Sequence, residues 1–218
     1  MTQPKPEIIP AILSQTIEQF QEDLQKLINS KNLSSGWVHV DFMDNQLVPN
    51  QSILPEDLVG VNFGNLKKEA HLMVKNPETW IKKLLDLGFE RIIIHMESQG
   101  NIAAYLKLIK NAGAKAVLAI NPETSIEKFN EFVLSADGVM VMGVHPGFQG
   151  QSFVPETIDK ISKIKSQNWP VKIEVDGAVK DTNAKQILQA GADTLISGSY
   201  LIKGDPDQNL ANLLKACI

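Results

Sequence analysis

His39 and Asp41 lie two residues apart in Trp37-Val38-His39-Val40-Asp41-Phe42-Met43-Asp44, a stretch that reads as a short strand running into a loop. Successive side chains on a strand point to opposite faces, so the imidazole and the carboxylate share one face while Val38, Val40 and Phe42 take the other. An apolar face is expected on a buried strand; an imidazole beside a carboxylate is not, unless the two are hydrogen-bonded or have chemistry to do. A structural pair would satisfy a lone His-x-Asp equally well. Three further runs, however, carry groups of the same kind near their ends: His71, His95 and Asp176. If these runs are parallel strands opening on one mouth, at least two of the imidazoles and the two carboxylates converge there. That donor set suits a divalent metal, borderline between zinc and manganese or iron.

The elements that must position these groups alternate along the chain. Apolar or alternating runs at 8–13, 37–44, 66–73, 91–95, 115–120, 138–142, 171–176 and 194–197 read as strands. Helical spacing or helix signals fall between and after them, at 16–28, 55–59 (weak), 76–87, 101–111, 125–134, 155–166, 181–190 and 207–214. Ser14 and Thr16 are possible caps for the first helix, and Asn76-Pro77-Glu78 reads as an N-cap followed by proline for the third. Leu87-Gly88-Phe89, Ala112-Gly113-Ala114 and Ala190-Gly191-Ala192 each place a glycine where a left-handed C-cap would turn the chain back into a strand. Strand-then-helix repeated eight times predicts a (β/α)₈ TIM barrel, with residues 1–218 as one domain. A doubly wound open sheet would normally carry Gly-x-Gly-x-x-Gly after its first strand, and this chain reads Ala11-Ile12-Leu13-Ser14 there.

Composition narrows the function classes. The 218 residues are 43% hydrophobic and 21% charged, with a net charge of −4, which argues against nucleic acid or an anionic membrane as partner. Cys217 is the lone cysteine, so no intrachain disulfide can form, and no apolar run approaches a membrane span. A cytoplasmic protein is the expectation.

In a barrel, function gathers at the C-terminal ends of the strands. Those ends also carry glycines: Pro146-Gly147-Phe148-Gln149-Gly150, Asp176-Gly177-Ala178 and Gly198-Ser199. Such loops let backbone N–H groups approach an anion closely, and barrels often hold a phosphate after strands seven and eight. Arg91, the sole arginine, begins strand four and so faces the opposite end. A phosphate would therefore be held by backbone amides, with the Ser199 hydroxyl beside them. Read as isolated motifs, the same glycines are ordinary tight turns.

The set as a whole resembles the ribulose-phosphate 3-epimerase family. The resemblance is carried by Pro10-Ala11-Ile12-Leu13-Ser14, His39-Val40-Asp41-Phe42-Met43-Asp44, Val48-Pro49-Asn50, His71-Leu72-Met73-Val74, Asn121-Pro122-Glu123-Thr124, Val144-His145-Pro146-Gly147-Phe148, Gly150-Gln151, Glu174-Val175-Asp176-Gly177 and Ala190-Gly191-Ala192-Asp193. It runs in order over nearly the whole chain. It implies that His39, Asp41, His71 and Asp176 hold one divalent ion (Zn, Mn, Fe or Co), with Asp41 and Asp176 doubling as the acid/base pair. It further implies that Met43, Met73 and Met142 line the site, and that His71, Gly147, Phe148, Gln149, Gly150, Gly177, Ala178, Gly198 and Ser199 meet a phosphorylated ketose. A homo-oligomer, dimer or hexamer, is implied as well. The chain departs from the family at Ala11 (a serine near the substrate), Asn45 (a glycine), Gly143 (a small hydroxyl residue), His145 (a polar residue), and Gln149 and Ala178 (glycines of the phosphate loops). None of these removes a ligand or an acid; they bear on which substrate is taken.

The implied reaction is metal-dependent epimerisation at C3 of a ketose phosphate, D-ribulose 5-phosphate to D-xylulose 5-phosphate, through an enediolate. D-Allulose 6-phosphate is the nearest alternative substrate, and a non-catalytic phosphosugar-binding barrel is a further one. Sugar-phosphate decarboxylases and aldolases that resemble this fold carry Asp-x-Lys-x-x-Asp in place of Asp41-Phe42-Met43-Asp44, and no lysine stands there. Glu69 and Glu174, two residues before His71 and Asp176, are expected one layer deeper as support; His95 with Glu97 is left open, and His145 reads as a loop residue.

Overall fold

The computed structural model describes residues 6–148 and 150–218, so Gln149 lies outside the described residues. Eight strands, β1 (Glu7–Ile12), β2 (Trp37–Met43), β3 (Lys67–Met73), β4 (Arg91–His95), β5 (Lys115–Ile120), β6 (Gly138–Met142), β7 (Lys172–Asp176) and β8 (Thr194–Ser197), close into one barrel in sequence order. Every pairing is parallel, including β8 with β1. The fold is a (β/α)₈ TIM barrel.

Helices α1 (Ile17–Asn29), α2 (Glu78–Asp86), α3 (Ile102–Asn111), α4 (Glu156–Ser166), α5 (Asp181–Ala190), α6 (Ser199–Ile202) and α7 (Pro206–Ala216) cover its outside. Their apolar stripes face the strands: Phe20, Leu24 and Leu27 of α1 are buried, as are Ile81 and Leu84 of α2. Each such side chain contributes about 1.5–3 kcal/mol by leaving water. Among the described residues, no helix is long and apolar enough to cross a membrane.

Several boundaries differ from expectation. After β2 and β5 the α-helices expected at 55–59 and 125–134 are short 3₁₀ turns, Pro55–Leu58 and Ile126–Glu131. Pro55 with Leu58, and Ile126 with Phe129, are their buried residues, three apart as one 3₁₀ turn allows. Helix α2 starts at Glu78 with no side-chain cap, so Asn76 does not cap it. Thr16 does cap α1, accepting from the Gln19 N–H, whereas the buried Ser14 hydroxyl has no partner. Gly88, Gly113 and Gly191 all take positive φ (75°, 85° and 115°), as left-handed caps require. The Gly198-Ser199 loop leads straight into α6, a turn of helix the sequence did not announce.

Strand alternation divides each residue set between the outer shell and the lumen. Val38, Val40 and Phe42 of β2 join the strand–helix core, where Phe42 meets Trp80 and Phe89 edge-on at centroid distances of 6.1 and 6.0 Å. Inside the barrel, Ile9, Ala11, Ile93, Val117, Ala119, Met140, Met142 and Ile196 form an apolar half-lumen. β2, β3 and β7 make the other half, and it is charged.

At the barrel floor, Arg91 is the hub. One guanidinium nitrogen lies 2.5 Å from Glu69 Oε2 and 3.2 Å from Glu174 Oε1, and the other lies 3.5 Å from Glu7. Its plane also packs 4.2 Å from the Trp37 ring. Burial and the neighbouring Glu69 charge push the Glu174 carboxyl up to about 8, so Glu69 is the principal anion that Arg91 neutralises at neutral pH.

Candidate active site

One layer above Arg91 the inward side chains of β2, β3 and β7 meet. The same alternation that sends Val40, Leu72 and Val175 outward aims Asp41, His71 and Asp176 into the mouth, with His39 just below. One donor atom from each of His39, Asp41, His71 and Asp176 falls within 4.8 Å of the other three. His71 Nδ1 lies 2.9 Å from Asp41 Oδ1 and 3.7 Å from Asp176 Oδ2. His39 Nε2 lies 3.3 Å from Asp41 Oδ1 without the alignment of a hydrogen bond, and it is buried with no hydrogen-bond partner among the described residues.

Each group is held from behind. Glu69 Oε1 takes His39 Nδ1 at 2.5 Å while its other oxygen takes Arg91, so the floor network fixes the His39 ring. His71 Nε2 meets His95 Nε2 at 2.8 Å, with the two rings nearly parallel at 16°. Glu69 and Glu174 thus occupy the supporting layer expected of them.

The two mouth carboxyls are driven apart in acidity. Burial raises Asp41, but the His39 and His71 imidazoles beside it outweigh burial and hold Asp41 far below the usual carboxylate range. Burial and then the Asp41 charge push Asp176 up to about 7. His71 is lowered to about 4, chiefly by burial; for His39 burial is outweighed by Asp41 and Glu69, and its value rises. Two neighbouring carboxyls whose acidities are pushed apart form the pattern from which an acid and a base can be argued.

The donor set fits a divalent cation. Two imidazoles and two carboxylates suit zinc, manganese, iron or cobalt. The unpartnered His39 nitrogen is the decisive observation, since a buried polar atom left unsatisfied costs about 1–3 kcal/mol. A cation among the four donors would take that lone pair.

Above the quartet opens a cavity of about 200 Å³. Met43, Met73 and Met142 line it, as do Asp41 and Asp176. So do Gly147, Phe148, Gly150, Gly177, Ala178, Gly198 and Ser199 from the loops after β6, β7 and β8. Leu13, Val144, Lys180 and Tyr200 also line it and were not singled out from sequence. Lys180 is the one whose chemistry adds something, a cation at the start of α5, and its only sequence signal was its place just after a glycine loop. His145 pairs with Glu123 at 3.3 Å on the exposed side of its loop.

Two departures acquire physical reasons. A side chain at Gly143 would begin 2.4 Å from the Gly177 carbonyl oxygen and 2.8 Å from the Phe153 ring, so no hydroxyl residue fits there. The close approach also brings the Gly143 N–H onto the Asp176 carbonyl at 2.6 Å, tying the β6 loop to the end of β7. Asn45 and Ala178 both sit at φ 54°, the left-handed region. Asparagine tolerates it; alanine does so at about 1–2 kcal/mol. Asn50 Nδ2 ties the β2 loop to the β6 loop by donating to the Gly147 carbonyl at 2.6 Å, and Gln151 braces the β6 loop by donating to the carbonyls of His145 and Phe148.

The model of the ribulose-phosphate 3 epimerase family matches residues 7–202. The chain belongs to that family. Ribulose-phosphate 3-epimerase of Chlamydia pneumoniae is 36% identical over 203 residues, covering 90% of this chain and 87% of its own. The Escherichia coli K12 protein of the same name is 35% identical over 200 residues, 89% and 88% of the two chains. That of Aquifex aeolicus is 37% identical over 167 residues, 74% and 75%. Among solved structures, a 3-hexulose-6-phosphate synthase from Salmonella typhimurium superposes with a TM-score of 0.70 over 97% of this chain and 98% of its own, at 12% identity. That likeness concerns the fold alone. This member of the ribulose-phosphate 3-epimerase family is an epimerase, an isomerase acting on carbohydrates.

Proposed function

We propose that the chain, as one barrel domain of 218 residues, epimerises C3 of a ketose phosphate, converting D-ribulose 5-phosphate to D-xylulose 5-phosphate. In this proposal His39, Asp41, His71 and Asp176 hold one divalent ion, and Asp41 and Asp176 act as the acid/base pair. The supporting observation is the quartet itself: four donors within 4.8 Å, one of them a buried imidazole nitrogen with no partner. When bound, the cation would supply Lewis-acid stabilisation of the negative charge that builds on the carbonyl oxygen.

The rest falls to the chain's own groups. Epimerisation removes a proton from the carbon beside the ketone and returns one to its opposite face. Asp41 on β2 and Asp176 on β7 come from separate places round the barrel, which suits one carboxyl on each face of the planar enediolate. The ionised one takes the proton, the protonated one gives its own, and the roles exchange for the reverse direction. The three methionines supply polarisable walls that keep water off the intermediate. Backbone N–H groups of the Gly177-Ala178 and Gly198-Ser199 turns, with Gly147 and Gly150 opposite, would hold the phosphate and position C3.

D-Allulose 6-phosphate is the alternative substrate that Ala11 leaves open, because a methyl group lines the cavity where the family's serine would donate a hydrogen bond. Assay of both ketose phosphates side by side separates the two. The expected result is that kcat/KM for the pentulose exceeds that for the hexulose by at least about tenfold. Chelation should lower turnover by about 100-fold or more, and re-addition of Zn, Mn, Fe or Co should restore it. A preference for the hexulose would reassign the substrate, and full turnover by metal-free protein would remove the cation. We further infer a cytoplasmic homo-oligomer, dimeric or hexameric.

A further inference from the structure

Behind His71 lies a second hydrogen-bonded chain that the reaction as described does not use. Glu97, just past the end of β4, sets Oε2 at 3.1 Å from His95 Nδ1. Its other oxygen accepts from the Asn121 N–H at 3.1 Å and from the Thr124 hydroxyl. That loop is itself clamped, since Lys160 donates to the carbonyls of Asn121, Pro122 and Thr124 at 2.7, 2.6 and 2.6 Å. His95 is fully buried, and its Nε2 faces His71 Nε2 at 2.8 Å.

The hydrogens along this chain follow from what each atom can do. An ionised Glu97 only accepts, so His95 Nδ1 carries a hydrogen and donates it. A neutral His95 then has its lone pair on Nε2. It must accept there, so His71 Nε2 carries the hydrogen between the rings. That leaves the His71 lone pair on Nδ1, the nitrogen facing Asp41 and Asp176. A lone pair and a carboxylate oxygen 2.9 Å apart repel unless a cation lies beside both. His39 mirrors the arrangement: with Glu69 taking the Nδ1 hydrogen, a neutral His39 has its lone pair on Nε2.

We propose that Glu97, through His95, is a positioning residue that fixes the tautomer of His71, so that its Nδ1 and the His39 Nε2 present lone pairs to one point. The assignment rests on the divalent-cation reading of the quartet. It gives Glu97 a role distinct from shape, because an amide of the same shape would invert it. In Glu97→Gln, the Asn121 N–H still demands an oxygen, so the amide NH₂ turns towards His95 Nδ1. His95 must then accept at Nδ1 and donate from Nε2, and the His71 hydrogen moves to Nδ1, the atom meant for the cation.

The test compares zinc affinity, by competition with a chelator, in wild type, Glu97→Gln and Glu97→Ala, together with ring ¹⁵N shifts of His95. Glu97→Gln should bind zinc about 10–100-fold more weakly than wild type. Glu97→Ala, which leaves His95 free to choose, should fall between them. His95 Nδ1 should be protonated in wild type and bare in Glu97→Gln. Melting of the three metal-free proteins shows whether each is folded. If the isosteric Gln variant binds zinc as wild type does, or better than the Ala variant, Glu97 acts through shape and the proposal is overturned. A bare His95 Nδ1 in wild type overturns it as well. Wild-type protein with the expected His95 protonation but no zinc binding overturns the cation reading itself, which the ring shifts distinguish from failure of the tautomer assignment.

Discussion

Asp176→Asn is expected to lower turnover by about 10²–10⁴-fold while the barrel stays folded. The substitution keeps the shape and removes one of the two groups able to carry a proton to or from C3. Its effect on stability has a defined sign. The Asp176 carboxyl titrates near 7 in the folded protein against an ordinary 3.8. Folding therefore takes up a proton between those values, and stability falls as pH rises through them. Above pH 7 the metal-free wild type carries the full cost of an ionised Asp176 beside Asp41, and the amide does not. Metal-free Asp176→Asn should melt at or above metal-free wild type at pH 8. Near-normal turnover in this variant would remove Asp176 from the mechanism; loss of the fold would mean that the carboxylate is structural.

Arg91→Ala should give the largest loss of stability. Arg91 is buried, and with it gone Glu69 keeps a negative charge at the barrel floor with only His39 against it. Breaking one side of a buried ionic network costs about 3–5 kcal/mol. At about 2–4 °C per kcal/mol for a chain of this size, the melting temperature should drop by roughly 10 °C. Cation affinity should fall too, because the Glu69 carboxylate that orients His39 loses its other anchor. Thermal melts with and without divalent metal check both effects. A loss below about 1 kcal/mol would show that Glu69 and Glu174 are satisfied without the guanidinium.

These two residues mark how far the sequence could be read. The period-two alternation around His39, Asp41 and His71 was enough to put the donors on the inner face of their strands, and the repeated strand–helix order was enough for the barrel. Arg91 was legible only by exclusion, as too far from the mouth to meet a phosphate. Its partners come from β1, β3 and β7, and no local pattern announces a contact between residues so far apart in the chain. The same holds for Glu97, which joins His95, Asn121 and Thr124 only when β4 and β5 lie side by side. Local signals misled in two places: Asn76 resembles a cap but does not act as one, and 125–134 has helical composition yet forms only a 3₁₀ turn. Gly143 looked like a lost hydroxyl until its contact with the Gly177 carbonyl was visible.

The most direct test of the mechanism follows hydrogen at C3 during conversion of D-ribulose 5-phosphate in D₂O by the metal-loaded protein. If Asp41 and Asp176 take one proton and return another that has exchanged with solvent, the D-xylulose 5-phosphate formed carries deuterium at C3. Asp176→Asn should then incorporate it more slowly, by the same factor as its loss of turnover. Product formed at full rate with C3 still carrying its original hydrogen would contradict the two-carboxylate mechanism.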